Sequence, residues 1–425
     1  MKAQPAPDPP SNRGTTPAVP RTPPSNRGTT PAVPRTRGGV LILNWRDTTH
    51  PEGGGSEVFV ERVAAGLAAQ GRPVTLFCAA HPGAPASERA GGVRVVRRGG
   101  RFTVYLHAWW AHLTGRLGAH DVVVDVQNGV PFFAALWCRR PVVVLVHHVH
   151  REQWRVVMPA LQARVGWWVE SRLAPRVHRR ARYVAVSEAT RRELAGLGVP
   201  PAAVTVVHNG MAPPALAETI PRTPFPSVCV LSRLVPHKRI ELALEAAARI
   251  RPHLPELRVL VVGQGYWEPR LREAVERLGL QDAVELLGWV DEATKQQVLA
   301  SSWTLAMPSV KEGWGLAVLE AAASGTPTVA FRAAGGVRES VVHGTTGLLA
   351  DDLEEFTRHL AWVLLNRHLR ERLGEAARAH AARHTWPQAV AAFAAVLDAA
   401  AAPEGQPADA QLPAGEGPAT GRATA

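Results

Sequence analysis

Residues 259–278, VLVVGQGYWEPRLREAVERL, contain the pattern that decides the fold. The apolar run Val259–Val262 is followed by the glycine turn Gly263-Gln264-Gly265, and then by the segment Pro269–Leu278, whose apolar residues recur with helical spacing. An apolar run that does not alternate with polar residues is typical of a strand buried on both faces of a parallel sheet. The stretch therefore predicts one strand–turn–helix unit of an α/β fold.

The same unit recurs along much of the chain. Amphipathic segments predict further helices at Val58–Ala69, Glu241–Ile250 and Leu316–Ala323. Apolar runs predict the other strands, at Val40–Trp45, Val74–Cys78, Val93–Val96, Val122–Val126, Val142–Val146, Tyr183–Val186, Val204–Val207, Val228–Leu231, Val284–Leu287, Thr304–Met307 and Thr328–Phe331. These repeated units predict an α/β fold with two doubly wound Rossmann-like domains that face each other across a cleft. A ligand in such folds lies at the carboxyl ends of the strands, so functional residues are expected in the loops that follow strands.

Composition divides the chain into four segments. Residues 9–22, PPSNRGTTPAVPRT, recur unchanged at 23–36, and this Pro-rich repeat predicts a disordered arm over 1–38. A first Rossmann-like domain is expected over 39–212 and a second over 213–400, with its last helices free to pack back on the first domain. The Ala-, Pro- and Gly-rich residues 401–425 predict a disordered tail.

Charge and cysteine usage limit the classes of partner and compartment. Residues 39–212 contain 21 Lys and Arg against 11 Asp and Glu, whereas residues 213–400 contain 20 against 21. The basic first half predicts an anionic partner, which could be nucleic acid, an acidic membrane or a phosphorylated substrate, unless its arginines only form a solvated surface. No apolar run approaches the roughly 18 residues of a membrane-spanning helix. Cys78, Cys138 and Cys229 lack paired spacing, which predicts buried, reduced thiols in a cytoplasmic protein rather than a disulfide or zinc framework.

The most specific chemical pattern is Lys311-Glu312-Gly313-Trp314-Gly315-Leu316, which leads into a helix containing Glu320. Gly313 and Gly315 allow backbone N–H groups to approach a ligand closely, and the free N–H groups at the start of the helix suit a diphosphate. Taken alone, the two glutamates would be better explained without a ligand, Glu312 as an acidic residue that stabilises the helix start and Glu320 as a solvated helix position.

Two cations upstream favour the phosphate interpretation. Arg233 and Lys238 follow the strand Val228–Leu231 on one loop, where they could neutralise a departing diphosphate in place of a metal ion. Taken alone, both would be interpreted as surface charges. Gly263 and Gly265 follow another strand, but Glu268 replaces the third glycine of a dinucleotide fingerprint.

Together these segments resemble the retaining glycosyltransferases of family four, which have the GT-B fold. The matching pieces are Ser232-Arg233-Leu234…Lys238, Val262-Gly263-Gln264-Gly265, Pro308-Ser309…Glu312-Gly313-Trp314-Gly315 and Glu320-Ala321…Gly325-Thr326-Pro327-Thr328-Val329, within a resemblance that covers roughly residues 39–395. The resemblance implies that 39–212 is the acceptor-side domain and that 213–400 is the nucleotide-sugar-binding domain. It implies a donor site whose diphosphate is held by Arg233 and Lys238. It further implies that Glu312 contacts hydroxyls of the transferred sugar, that Glu320 contacts the ribose, and that backbone around Val290 meets the base. Gly313, Trp314, Gly315 and Leu316 complete the donor loop.

The first domain adds two elements to the resemblance. Gly53-Gly54-Gly55-Ser56-Glu57 resembles the family's glycine-rich loop beside the reacting centre, although a tight strand-to-helix turn explains it too. His147 follows the strand Val142–Val146, where the family often places a histidine near the donor sugar. His147, Glu312, Arg233 and Lys238 are therefore the candidate catalytic residues, and Gly54 and Gly55 join the donor-binding set. No carboxylate or Cys set completes a metal cluster around His147, His148 and His150, so no metal is expected.

The predicted function is transfer of a sugar, with retention and without an obligatory metal or other cofactor, from a nucleoside-diphosphate sugar to a hydroxyl acceptor. The basic, aromatic segment Arg97–Gly118 and the cluster Arg172–Arg182 suggest a lipid or lipid-linked acceptor at an anionic membrane, or else buried aromatics beside solvated arginines. A phosphorylase, a sugar-nucleotide epimerase and a non-catalytic sugar-nucleotide-binding protein remain alternatives. Nucleic acid is not an expected partner, because no recognition motif accompanies the positive charge.

Overall fold

The computed structural model describes residues 38–212 and 220–402. Nearly all of the predicted arm and tail lies outside these residues, and the predicted domain boundary at 212/213 meets the undescribed segment 213–219. No helix within the described residues combines the length and the apolar character needed to cross a bilayer.

The first half of the chain forms an eight-stranded sheet with helices on both faces. Its strands are β1 (Val40–Leu43), β2 (Val74–Cys78), β3 (Ser87–Ala90), β4 (Val93–Arg97), β5 (Val122–Gln127), β6 (Val142–Val146), β7 (Arg182–Ala185) and β8 (Val204–Val206). Its helices are α1 (Gly55–Ala69), α2 (Val104–Leu113), α3 (Ala134–Trp137), α4 (Arg151–Val157), α5 (Ala160–Trp168), α6 (Ala174–Val177) and α7 (Glu188–Gly196), with a π-helical turn at Val169–Leu173. The strand order is β3-β4-β2-β1-β5-β6-β7-β8, and only the β3–β4 pairing is antiparallel.

The second half forms a six-stranded sheet in which every pairing is parallel. Its strands are β9 (Ser227–Leu231), β10 (Arg258–Val262), β11 (Val284–Gly288), β12 (Thr304–Met307), β13 (Thr328–Phe331) and β14 (Gly347–Ala350), in the order β11-β10-β9-β12-β13-β14. The helices that follow are α8 (Ile240–Ile250), α9 (Glu268–Arg277), α10 (Glu292–Ser301), α11 (Leu316–Ala323), α12 (Val337–Ser340), α13 (Leu353–Leu365), α14 (Arg367–Ala381) and α15 (Trp386–Ala401). Two Rossmann-like domains with parallel sheets are thus confirmed.

The continuous apolar runs are explained by burial on both faces of each sheet. In β1, Val40 and Ile42 join the apolar cluster on one face, while Leu41 and Leu43 join the cluster on the other. Successive side chains of the strand point to opposite faces of the sheet, and both faces are buried. Every position in the run is therefore apolar.

The last helix, α15, packs against helix α1 of the first domain rather than against the second sheet. Phe393 of α15 lies 6.1 Å from Phe59 of α1, ring centroid to ring centroid. A Cβ atom on Gly66 of α1 would lie 2.4 Å from a Val390 methyl carbon, so only glycine allows the two helices to approach this closely. The chain that ends the second domain thus contributes to the core of the first.

Candidate functional site

The carboxyl ends of the two sheets face a common cleft of about 880 Å³. His147 reaches it from the loop after β6, Arg233 from the loop after β9, and Glu312 from the loop after β12. Most of the residues predicted for the donor site line it, and these are Gly54, Gly55, His147, Arg233, Lys238, Gly263, Glu312, Gly313, Trp314, Gly315, Leu316 and Glu320. Gly265 and Val290 do not line it. The structure therefore places most of the predicted side chains in one cavity.

Helix α11 begins at the cleft because Gly315 turns the chain into it. Gly315 has φ 87°, in the left-handed region that favours glycine, and Leu316 is the first helical residue. Upstream, the backbone of Glu312 is held on both sides, since its N–H donates to the Ala334 carbonyl at 2.9 Å and its carbonyl accepts from the Gly336 N–H at 3.1 Å. The Glu312 side chain is thus presented from a fixed backbone beside the free N–H groups of a helix start.

Glu312 and Lys238 form an ion pair inside the cleft. The Lys238 Nζ donates to Glu312 Oε1 at 2.5 Å, and the two side chains are 15% and 13% exposed. Burial alone would raise the pKa of Glu312, but the Lys238 ammonium and a hydrogen bond involving Ser309 bring the pKa below its usual value. Glu312 is therefore a carboxylate whose charge is balanced by a cation on the neighbouring loop.

Arg233 lies between the two domains. Its Nη1 donates to the Glu52 carbonyl at 3.1 Å, and a Cβ on Gly54 would approach its Nε to 3.2 Å. Burial and the neighbouring Arg46 guanidinium lower the pKa of Arg233. Arg233 nevertheless stays charged, because the usual pKa of arginine is far above neutral pH. Because Arg233 is buried next to a second cation, an anion that binds beside it would stabilise its charge.

The glycine-rich loop is organised by Glu57, which is fully buried in the first turn of α1. Its carboxylate accepts from the Gly54 N–H at 2.7 Å, from the Ser56 hydroxyl at 2.9 Å and from Arg46 Nε at 3.0 Å. Burial opposes the charge, yet Arg46 and Arg233 hold the pKa of Glu57 below its usual value. The tight strand-to-helix turn is present, and it brings Gly54 and Gly55 against Arg233 and Leu316 of the other domain.

Glu320 is paired with Lys295, a cleft residue that the sequence did not single out as a site. Lys295 Nζ lies 2.7 Å from Glu320 Oε1 and 2.8 Å from Glu292 Oε2. Burial raises the pKa of Glu320 in spite of Lys295. The rarity of lysine could have pointed to Lys295, because the chain contains only four lysines. In the structure three of them, Lys238, Lys295 and Lys311, form ion pairs with carboxylates around the cleft.

His147 is buried and neutral. Burial and the nearby His150 lower its pKa to about 4, although Glu57 acts in the opposite direction. Its ring packs edge-on against Phe59 with centroids 5.5 Å apart, and its Nε2 has no hydrogen-bond partner among the described residues. A neutral imidazole with a free nitrogen can exchange a hydrogen bond with a ligand in the cleft.

The structure adds contacts for four residues of the predicted donor site. A Cβ on Gly263 would lie 1.9 Å from the Ser232 carbonyl oxygen, and one on Gly265 would lie 2.2 Å from that of Leu234. Both glycines therefore allow the loop after β9 to pack against the loop after β10, and this packing positions Arg233.

The other two residues are Trp314 and Val290. The Trp314 side chain is 3% exposed and stacks on His208 at 4.1 Å, so the indole belongs to the interdomain core. Val290 packs its side chain against the core of the second domain, whereas the neighbouring Trp289 is 70% exposed and lines the cleft. Trp289 was missed because exposure of a single tryptophan leaves no pattern in the sequence.

Ser187, which follows strand β7, caps helix α7 by accepting from the Thr190 N–H at 3.1 Å. Within 38–212 and 220–402 the cleft brings together no set of three side chains that could hold a metal ion, and His148 instead bonds to Gln153 at 2.9 Å.

Comparisons with known proteins agree on the type of fold and family. The family described as glycosyltransferase family 4 matches residues 53–213, and the family described as glycosyl transferases group 1 matches residues 218–380. Among curated proteins, a D-inositol 3-phosphate glycosyltransferase of Streptomyces griseus subsp. griseus is 32% identical over 234 residues, covering 47% of this chain and 49% of the relative.

Two solved structures are similar over nearly their whole length. A sucrose-phosphate synthase from Thermosynechococcus elongatus has a TM-score of 0.74 at 20% identity, covering 85% of this chain and 99% of that one. HepE from Anabaena, in complex with UDP-glucose, has a TM-score of 0.67 at 19% identity, covering 85% and 100%. The chain spans between 16% and 49% of the length of the first curated relatives it matches.

Proposed function

Because the chain belongs to the family-four glycosyltransferases of the GT-B fold, we propose that it transfers a sugar from a nucleoside-diphosphate sugar to a hydroxyl acceptor, with retention at the anomeric carbon and without a metal in the reaction. One observation carries the proposal. Arg233, Lys238 and the start of helix α11 converge on the cleft that also holds Glu312. Three sources of positive potential around one carboxylate suit a diphosphate attached to a sugar.

Each group has a separate task in this scheme. Arg233 and Lys238 bind the diphosphate, and the N–H groups at Leu316 and beyond contribute the helix dipole. Glu312 accepts hydrogen bonds from hydroxyls of the transferred sugar, and Glu320 accepts from the ribose. The exposed face of Trp289 provides a surface for the base to stack on.

Transfer breaks the bond between the anomeric carbon and the diphosphate oxygen and forms a bond from that carbon to the acceptor oxygen on the same face. The electron pair of the broken bond stays with the diphosphate, where Arg233 and Lys238 stabilise it. The proton of the acceptor hydroxyl goes to the departing phosphate oxygen. Neutral His147 faces the sugar and positions it by a hydrogen bond from the nitrogen that has no partner in the protein.

Two relatives support the choice of substrates. HepE, which shares the fold, is described in complex with UDP-glucose, and this supports a nucleotide-sugar donor. The Streptomyces griseus relative is described as acting on D-inositol 3-phosphate, and this supports an acceptor that carries a phosphate. The basic first domain is consistent with such an acceptor.

The acceptor is proposed to be presented at an anionic membrane, and helix α2 supplies the main support. Phe102, Leu106, Trp110 and Leu113, on or beside α2, are 77%, 66%, 56% and 56% exposed, which is unusual for large apolar side chains of one helix. Arg98, Arg101 and Arg116 flank it and are exposed. Aromatic side chains beside arginines suit the interface of a bilayer with anionic lipids.

Two residues of the basic, aromatic segment do not contribute to this surface. Arg97 is buried and bonds to Asp47 Oδ2 at 2.5 Å and to Glu88. Tyr105 tilts against Phe132 with ring centroids 4.8 Å apart. The second cluster fits better, since Arg172, Arg176, Arg179, Arg180 and Arg182 are exposed near Trp168, which is 56% exposed.

The donor proposal is tested by thermal unfolding in the presence of a panel of nucleoside diphosphates. A nucleotide at about 100 times its Kd should stabilise the chain by about 2.7 kcal/mol. A panel in which every member leaves the melting temperature unchanged would contradict the donor site. Phosphate-dependent cleavage of a disaccharide without any nucleotide would instead identify a phosphorylase.

The membrane proposal has a separate test, sedimentation with vesicles of phosphatidylglycerol and phosphatidylcholine. Binding should fall as salt or the phosphatidylcholine fraction rises. Trp110→Ser should weaken it, whereas Trp362→Ser, which changes an equally exposed tryptophan on α13 of the other domain, should not. Equal binding of the two variants would exclude α2 as the docking element.

A further inference from the structure

Two histidines and a cysteine meet in the first domain, away from the cleft. His112 lies in the last turn of α2, His120 precedes β5, and Cys138 follows α3. One ring nitrogen of each histidine and the Cys138 Sγ all lie within 4.8 Å of one another. These three residues line a pocket of about 410 Å³ that shares no residue with the cleft. They sit before strands β5 and β6 begin, so the cluster is at the opposite end of the sheet from the cleft.

Both imidazoles have a nitrogen with nothing to bond to. His112 Nδ1 and His120 Nε2 are buried and have no hydrogen-bond partner among the described residues. The other nitrogen of His120, Nδ1, lies 3.0 Å from the Gly118 carbonyl oxygen. A carbonyl can only accept, so His120 Nδ1 carries the proton and Nε2 keeps a free lone pair, as in histidines that bind metal ions.

His112 lies beside His120 and presents its own buried nitrogen, Nδ1, which has no hydrogen-bond partner among the described residues. The two rings are 5.4 Å apart, centroid to centroid, and Trp137 packs 5.0 Å from the His112 ring. Two buried nitrogens without partners are costly unless a third group satisfies both.

Cys138 provides a soft ligand atom beside them. The Arg140 backbone N–H points at its Sγ at 3.4 Å, and a hydrogen bond of this kind stabilises a thiolate. When a metal–sulfur bond forms, the thiol proton passes to solvent.

We propose that His112, His120 and Cys138 bind a borderline or soft metal ion of the Zn²⁺ class. Two imidazole nitrogens and one thiolate are the ligands such ions prefer, whereas Mg²⁺ and Ca²⁺ require oxygen. Tetrahedral bonds of about 2.0 to 2.3 Å place ligand atoms roughly 3.3 to 3.8 Å apart. Side-chain rotations that move the ligand atoms by about 1 Å would bring the three residues to this spacing. No fourth His, Cys, Asp or Glu joins the three among residues 38–212 and 220–402, which leaves one position for water.

The site has a mechanical consequence for the first domain. A metal there ties the end of α2 to the segments that enter β5 and β6. Helix α2 carries exposed Trp109 and Trp110 and is half-covered by the domain, so the metal would fix the orientation of the apolar face. The sequence predicted only a buried thiol at Cys138. It did not predict the cluster, because neither histidine is close to Cys138 in sequence.

The test is metal binding by tag-free protein that has first been treated with a chelator and desalted. Isothermal titration with Zn²⁺ should give one site, and Co²⁺ should give a thiolate-to-cobalt absorption in the near ultraviolet. Cys138→Ser should abolish that absorption, and His120→Gln should weaken Zn²⁺ binding at least roughly 100-fold. Cys229→Ala, which removes a buried cysteine of the second sheet, should leave both signals unchanged.

Folding is monitored for each variant by circular dichroism, and nucleotide-induced stabilisation serves as a second check, because the cleft is separate from the cluster. No Zn²⁺ binding by the wild-type chain at micromolar concentrations would overturn the proposal. Zn²⁺ binding that survives unchanged in a folded His120→Gln or Cys138→Ser variant would do so as well. The proposal does not depend on the donor site, since metal binding is measured without any nucleotide.

Discussion

Replacing Lys238 by methionine separates the two tasks of the Lys238–Glu312 pair. The substitution removes the charge and shortens the unbranched side chain by one atom. We expect transfer to fall by about 100- to 1,000-fold, because one group that stabilises the departing diphosphate is lost. We also expect the fold to be destabilised, because Glu312 is left as a mostly buried carboxylate without its cation.

The size of the second effect follows from the geometry. Nζ and Oε1 are 2.5 Å apart and the side chains are only 15% and 13% exposed, so little solvent screens the pair. Removing one partner of a buried pair costs roughly 3 to 5 kcal/mol, and the residual exposure places this case near the lower end, at about 3 kcal/mol. The Lys238→Met/Glu312→Gln double variant has no unpaired charge and should recover most of that loss.

Urea unfolding and initial rates of sugar transfer are measured on the wild type, both single variants and the double variant. Stability should return in the double variant while transfer stays low. Recovery of transfer together with stability would show that Lys238 acts only through the fold. Near-wild-type transfer by a folded Lys238→Met protein would refute the assignment of Lys238 to the diphosphate.

The pH dependence provides an independent check. The pKa of Glu312 lies below its usual value of 4.5, so the pair's contribution to stability is complete above that value and is lost as pH falls through the folded-state pKa. The stability difference between wild type and Lys238→Met should therefore be constant while Glu312 is ionised in both proteins. It should shrink as pH falls through the pKa of the unpaired Glu312, which burial raises, towards the lower pKa of the paired carboxylate. A difference that grows on acidification would contradict the ion pair.

Three further predictions concern the donor side. Glu320→Gln should weaken binding of the best nucleoside diphosphate about tenfold by titration calorimetry, whereas Glu292→Gln, which changes the exposed partner of the same lysine, should not; equal effects would exclude a ribose contact. Gly263→Ala should destabilise the chain by more than about 2 kcal/mol in urea, because its φ is 132° and a Cβ would meet a carbonyl oxygen at 1.9 Å; Gly100→Ala, with no atom within 4 Å of the new carbon in the described part of the chain, is the matched control. Trp289→Ala should leave unfolding within about 0.5 kcal/mol of wild type but weaken nucleotide binding by about 1 to 3 kcal/mol, and unchanged affinity would exclude stacking of the base.

Much of the fold could be predicted because burial on both faces of a sheet leaves a direct trace in sequence. The runs at 74–78, 142–146, 304–307 and 328–331 predicted their strands with correct limits. Strand β3 was missed because it is an antiparallel edge strand with the polar sequence SERA, three of whose residues are exposed. Strand β14 was missed because its sequence, GLLA, begins with a glycine and contains no β-branched or aromatic residue, although all of it is buried.

The candidate site could be predicted only where its chemistry is local. The Glu312 loop, Gly315 and the start of α11 are contiguous, so spacing alone placed them together. The direction of Trp314 is decided by His208, a residue over 100 positions away, and no local pattern reveals that contact. The same holds for Gly263, whose neighbour Ser232 lies on another loop.

The pairing of Lys238 with Glu312 gives the cleft its own counter-ion. A phosphate that enters must take the place of a carboxylate, so binding is an exchange of partners rather than the filling of a bare positive pocket. A small anion such as sulfate gives Glu312 nothing in return. A sugar diphosphate offers hydroxyls to the released carboxylate as it offers oxygens to the lysine, and the internal pair therefore selects for ligands that carry both.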